Sequence, residues 1–267
     1  MKHILLILLT LPLVLQGSPF RAVFVTDDDV AKLGGFPIPR RHYAEALYAA
    51  KRAGAQAVVF KFFMDLPSKV VADDVALAEA IKNCGLPVVL QAGIDDSEKK
   101  SNPLSERFIR HDLPLPLGAI SGDRGWLPLP ILADGAHSVA FIDALNPVPL
   151  VEIYRGRPMP SLFLVALELA LGKASWTPES ITLNGTTLPM RNGQVVVPFP
   201  PKDELQSLSL SELLDGKTGK KLKGAIVIIG YDGQEMHTFP TAIGPIMAHR
   251  LFFYELELAY AAFSKRD

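Results

Sequence analysis

Between residues 21 and 91 the chain alternates short apolar runs with segments of helical period, and this alternation restricts the fold more than any other feature. Residues 21–25 read RAVFV and are followed by the acid triplet Asp27-Asp28-Asp29. Pro37-Ile38-Pro39 then leads into a helix predicted over 40–53, with Tyr43, Leu47, Ala50 and Ala53 at helical spacing and Gly54 at its end. Residues 57–63 are almost continuously apolar, as expected for a strand covered on both faces. A second helix, predicted over 73–84, turns Leu77, Ala80 and Ile81 inward and stops at Gly85; residues 87–91, PVVLQ, give a third strand. Strand, helix, strand, helix, strand with short links is the pattern of parallel βαβ units, whose right-handed crossovers place helices on both sheet faces. The expectation is a three-layer αβα fold with a mainly parallel sheet.

The remainder reads less regularly. The 22 prolines cluster between elements, and much of residues 92–146, rich in proline, glycine and charge, reads as loop. A strand is predicted over 150–154. Met159-Pro160-Ser161 then opens an apolar helix that runs to Leu171. Residues 181–188 and 194–199 are predicted to pair as an antiparallel β insertion turning at Arg191-Asn192-Gly193, since Asn-Gly favours tight hairpin turns. A short helix over 210–214 precedes a basic loop over 217–223, and residues 225–229 form a buried strand ended by Gly230. The closing segment, 246–263, is helical and apolar nearly all round, so it packs deep or meets a partner.

Lys2 and His3 precede an apolar run over 4–15, with Gly17 and Ser18 after it. A basic start, a short apolar stretch and a small-residue exit describe a secretory signal peptide over residues 1–18, too short for a comfortable membrane span. Residues 19–267 are then expected to form a single domain, periplasmic or secreted, with no stable anchor once the signal is removed. The net charge of -1 offers no basic field for a polyanion, which argues against nucleic acid. The single cysteine, Cys84, cannot close an internal disulfide and suits a small buried hydrophobe better than a nucleophile. The histidines lack ligand spacing, and no Gly-x-Ser-x-Gly elbow, phosphate loop or zincin motif occurs; neither cofactor nor metal is expected.

Several segments, in order, resemble the CHASE type-two extracytoplasmic sensory family. Leu33-Gly34-Gly35-Phe36-Pro37-Ile38-Pro39-Arg40 is similar to the family's Gly-x-Trp-Pro-Trp-Pro-Arg segment, with Phe36 and Ile38 replacing the tryptophans. The helix after it, the strand Gly54-Ala55-Gln56-Ala57-Val58-Val59-Phe60, and Asp74 with Leu77-Ala78 fall where the family has its next elements. Met159-Pro160-Ser161-Leu162 resembles a Pro-Ser-Leu helix start, and residues 223–230 resemble a Gly-Lys-x-Val-x-Ile-Gly strand. The chain departs at Thr26 and Lys61, where the family carries aspartates, and at Asn146-Pro147-Val148, where it carries a glycine-rich stretch ending in arginine. The resemblance implies a sensory domain rather than an enzyme. Relatives continue into membrane helices and a cytoplasmic effector, whereas this sequence stops at Asp267, so any signal is expected to pass through a separate envelope protein.

Four residues stand out as ligand contacts. Asp27 and Asp28 follow the carboxyl end of a parallel strand, the usual ligand position in open α/β sheets; they serve as well in a turn that caps a short helix over 30–32. Lys61, an ammonium in an apolar strand, requires a carboxylate, with Asp27 or Asp28 on the adjacent strand as its expected partner. Arg40, at a helix start, suits a small anion or a fold-stabilising salt bridge. Two alternatives stand beside the ligand-binding reading. One is an interaction module that uses the last helix. The other is a metal-dependent phosphohydrolase of the haloacid dehalogenase type, for which Asp27 and Asp29 have the required one-residue gap but the following threonine is missing.

Overall fold

The computed structural model describes residues 17–97, 101–143, 147–197, 205, 207–241 and 244–264. The expected signal segment falls almost entirely outside them. Six strands build the central sheet: β1 (Phe20–Val25), β2 (Ala57–Phe60), β3 (Val88–Ile94), β4 (Ser138–Phe141), β5 (Ser207–Ser209) and β6 (Ile226–Tyr231). They are all parallel, in the order β5-β1-β6-β2-β3-β4. Gly125–Trp126 adds a short antiparallel pairing at the end of β3.

Side-chain alternation divides the sheet into two faces. Val23, Val25, Val58, Phe60, Val88, Leu90, Val227 and Ile229 pack against α1 (Asp27–Leu33), α2 (Arg40–Arg52), α3 (Val71–Asn83) and α5 (Leu210–Leu214). Phe20, Ala22, Phe24, Ala57, Val59, Val89, Ile226 and Ile228 pack against α4 (Leu162–Leu171) and α6 (Ala248–Ser264). Both faces are covered, which is why the strands read as continuous apolar runs, and the three-layer α/β arrangement is the one expected. Each fully buried Val, Leu, Ile or Phe contributes about 1.5–3 kcal/mol relative to exposure. Cys84 is among the buried residues of the α2–α3 layer.

Within residues 92–146, much of which is loop, the chain also forms β4, its four residues too short for period to show between Gly135 and Asp143. Two local expectations need correction. The run 181–188 is not one strand but a hairpin, Ser180–Leu183 with Thr186–Pro189, turning at Asn184 and Gly185, both at positive φ (50° and 82°). Asn192-Gly193 also turns, joining Arg191 to Gln194 by a single bridge, but Gln194–Val195 pairs with Val148–Pro149 instead; Pro198 and Phe199 lie outside the described residues. The strand Val151–Tyr154 joins Arg157–Pro160 and Ser121–Gly122 in a separate small sheet. The apolar closing helix packs deep: Leu251, Phe252, Phe253, Leu256, Ala259 and Phe263 are buried. It runs back along the sheet, from His249 over Gly230 at the end of β6 to Tyr260 against Phe20 at the start of β1.

Candidate functional site

The four residues singled out from sequence all lie at the carboxyl end of the sheet, but the fold distributes them between its two faces. Thr26 caps α1, accepting from the Asp29 N–H, while the Asp29 carboxylate accepts from the Thr26 N–H (2.9 Å) in a reciprocal capping box. The buried Asp29 also accepts from Leu210 N (3.2 Å), Ser211 N (3.1 Å) and the Ser211 hydroxyl, so one carboxylate joins the N-termini of α1 and α5. Burial alone would raise its pKa; the hydrogen bonds from Ser211 and Thr26 outweigh burial and hold it below the ordinary carboxylate value. Asp27 accepts from the Tyr231 hydroxyl (3.0 Å) and from Gln234 N (3.1 Å), and Asp28 is exposed on the first turn. The aspartates with the one-residue gap are thus separated in role: Asp29 is enclosed by helix ends and Asp27 faces the loop after β6.

Arg40 binds Asp74 through one guanidinium nitrogen and the Leu66 carbonyl through another (2.6 Å), while Asp74 also accepts from Ser68 N (3.0 Å). Both side chains are largely buried, and the pair ties the start of α2 to the start of α3. Its geometry is that of a structural clamp, with each buried charge matched and hydrogen-bonded.

Lys61 follows β2, its N–H still donating to Ile229 O at 2.8 Å. The expected pairing with Asp27 or Asp28 does not form, because β6 inserts between β1 and β2. Lys61 instead extends on the α6 face, 7% exposed, its ammonium 5.3 Å from the centre of the Phe252 ring. Carrying the β2–β3 register one residue beyond Phe60 and Leu90 sets Lys61 beside Gln91, which stands opposite Ala140 of β4. Beyond β4 comes Asp143, whose carboxylate accepts from Ile94 N (2.7 Å) and whose N–H donates to Glu152 (3.3 Å). Glu152 and Gln91 are buried, and each keeps one oxygen without a hydrogen-bond partner among the described residues. His249, the second residue of α6, takes the Tyr231 N–H on Nδ1 at 2.8 Å, which leaves its other nitrogen as the proton carrier. It sits against Gly230, where an added Cβ would lie 2.9 Å from Nδ1.

Burial sets the protonation of this group. It pushes the Lys61 ammonium down to about 7, against the pull of Asp143. It raises Glu152 well above the carboxylate range, reinforced by the adjoining Asp143 carboxyl, and it raises Asp143 against hydrogen bonds and the pull of Lys61. His249 is held well below the usual histidine value by burial and by the Lys61 charge. The cluster therefore sets a lysine whose charge is disfavoured by burial against two carboxyl groups whose ionisation burial also disfavours, with the His249 imidazole held toward its neutral form.

The family model of the CHASE2 domain matches residues 8–264, nearly the whole chain. The chain belongs to the CHASE2 domain family. CHASE2 domains are extracytoplasmic sensory, non-catalytic modules, and no described helix of this one is long and apolar enough to cross a membrane. No curated protein and no solved structure matches the chain. In this CHASE2 domain the ammonium of Lys61 occupies the second-strand position at which the resemblance led to an aspartate, and its carboxylates come from Asp143 and Glu152. Sequence reasoning missed both, together with Gln91 and His249. Glu152 was legible only as a lone acid in the apolar run VPLVEIY, and Asp143 only as the end of SVAFI. Among the described residues no group of three His, Cys, Asp or Glu side chains is placed to hold a metal ion.

Away from this cluster, a concavity of about 360 Å³ opens at the amino end of β4 between α4 and the turn Glu106–Phe108. Its cations are already engaged: Arg107 with the carbonyls of Ala133 and Asp134, Arg110 with Asp112 and Glu168, and Lys173 with Asp112.

Proposed function

We propose that this chain is the input domain of an extracytoplasmic signalling system, in which a change at the Lys61 cluster alters the seating of α6 and a separate envelope protein reads it. The observation that carries this reading is a buried group of titratable side chains at the carboxyl ends of the strands, directly beneath the first turns of α6, in a chain matched almost end to end by a sensory family. Asp27, Asp28 and Arg40 flank that region on the opposite face. Asp27 holds the loop after β6 and Arg40 ties the start of α2 to the start of α3, while the Asp28 carboxylate faces solvent, open to a cation or a cationic metabolite.

The test combines native mass spectrometry of the exported protein, purified without chelators, with hydrogen exchange of residues 248–264. A retained small molecule or ion, or any solution condition that shifts exchange in α6 while leaving α2 and α3 unchanged, supports the reading. A bare protein whose α6 responds to no cue, recovered with a tenacious protein partner, would overturn it in favour of an interaction module. That second reading draws on exposed apolar side chains, but on Leu66, Val70, Val71 and Val75 around the start of α3 rather than on the last helix.

A further inference from the structure

Lys61, Asp143, Glu152 and His249 come from four separate segments: the end of β2, the chain after β4, the strand Val151–Tyr154 and the start of α6. A change in charge at their meeting point therefore acts on the contacts among all four. Their hydrogen bonding is incomplete in a way that leaves room for rearrangement, with one oxygen of Glu152 and one of Gln91 unpartnered among the described residues. Among the described residues the Lys61 ammonium is held by the Phe252 ring and by the charge of Asp143 rather than by a closed set of acceptors.

We propose that the Lys61–Asp143–Glu152–His249 cluster is a proton switch, so that the stimulus read by this domain is the acidity of the extracytoplasmic space; the inference rests on the sensory reading above. With Lys61 charged and one proton shared by the two carboxyl groups, the cluster is neutral. As pH rises Lys61 gives up its proton, and a buried carboxylate is left without a cation; among the described residues its remaining donors are the Ile94 N–H to Asp143, the Asp143 N–H to Glu152 and the proton that the two carboxyl groups share. The attraction between ammonium and Phe252 is lost in the same step, which loosens the first turns of α6. That Lys61 titrates at about 7 places the transition where an exterior compartment varies.

The other groups around Lys61 do not supply this response. Gln91 on β3 carries no charge, Tyr231 on β6 presents its N–H to His249, and Asp95 acts on Asp143 from beyond β3. Arg250 on α6 is paired with Asp232. Glu255, further along α6, titrates in the same range with no charged group acting on it, so it must be separated by mutation.

The experiment uses the full chain. The ¹³Cε shift of Lys61, assigned with Lys61→Met, is followed across pH, and exchange of α6 amides is measured at about pH 6 and about pH 8 after correction for intrinsic rates. The expected result is a Lys61 midpoint near 7 and exchange in the first turns of α6 faster by about fivefold at the higher pH. The difference should disappear in Lys61→Met and persist in Glu255→Gln. A Lys61 midpoint near 10, as for an ordinary lysine, overturns the proposal even where the methionine variant fails to fold. So does a response that survives in Lys61→Met. A pH-insensitive α6 that moves when a retained ligand is removed would overturn the proton switch and leave the sensory reading standing.

Discussion

Glu255 lies on the buried face of α6 with no exposed surface, and neither of its carboxylate oxygens has a hydrogen-bond partner among the described residues. An isolated carboxylate in such a place is far costlier than a carboxylic acid, so the folded chain keeps the proton. Burial pushes Glu255 up from 4.5 to about 7. The folded state then binds more protons than the unfolded state between those two values, and stability falls as pH rises through that window. At 1.36 kcal/mol per pH unit the accumulated penalty is about 3 kcal/mol above neutrality and absent below the lower value. Glu255→Gln keeps the shape and removes the ionisation. Its stability should match that of the parent near pH 4, below the unfolded value, and exceed it by about 3 kcal/mol near pH 8, or roughly 6–12 °C in Tm for a domain of this size. Thermal unfolding followed by circular dichroism at several pH values measures this directly. Lys61 titrates in the same range, but its contribution is common to both proteins and cancels in the difference. Stability curves that run parallel from about pH 5 to about pH 8 would refute the argument, because a solvated or paired Glu255 gives no pH-dependent gap.

Arg40→Ala leaves the buried Asp74 carboxylate without its cation and should cost about 3–5 kcal/mol in urea unfolding, with Arg40→Lys recovering only part because it cannot reach Asp74 and Leu66 O together. Asp29→Asn weakens the ends of α1 and α5 at once and should cost about 1–3 kcal/mol near neutrality. Because the Asp29 pKa is depressed on folding, its contribution is present above the unfolded value and lost as pH falls through the lower folded one, so the variant should show a shallower loss of stability in acid. Gly230→Ala places a Cβ 2.9 Å from His249 Nδ1 and should displace the imidazole, break its bond to Tyr231 N, and cost about 1–3 kcal/mol by thermal melt.

The βαβ start was legible because parallel strands buried on both faces are locally continuous and glycine marks the ends of their helices. Gly54 and Gly85 both lie at positive φ, just past α2 and α3. The SVAF strand β4 and the three-residue β5 were not legible, since so few residues carry no period. Lys61 announced itself as a charge in an apolar strand, but its partner depended on which strand lies beside β2. That neighbour is β6, far later in the chain, and no local pattern encodes the insertion. The hairpin expected at Asn192-Gly193 failed for a similar reason. That dipeptide does turn, as Asn184-Gly185 does within the run read as one strand, and only long-range pairing with Val148–Pro149 decides where residues 194–195 go.

The two faces of the sheet treat their polar groups differently, and this asymmetry bears on where a signal can arise. On the α2–α3 face the buried Asp29 and Asp74 have all their charge met by helix N–H groups, hydroxyls or Arg40, which makes that layer a frame with a single favourable arrangement. The unpartnered buried atoms among the described residues belong to Gln91, Glu152, Tyr154, Trp176, Glu255 and Ser264, none of them on α1, α2, α3 or α5. Buried polar groups without partners raise the energy of the arrangement that contains them, so a second arrangement needs less stabilisation to compete. A two-state element is what any stimulus must bias, whatever its chemistry. Among the described residues the unpartnered groups lie outside the α2–α3 layer, with Glu255 on α6 itself, so substitutions that complete their hydrogen bonding should make the domain more stable and less responsive at once.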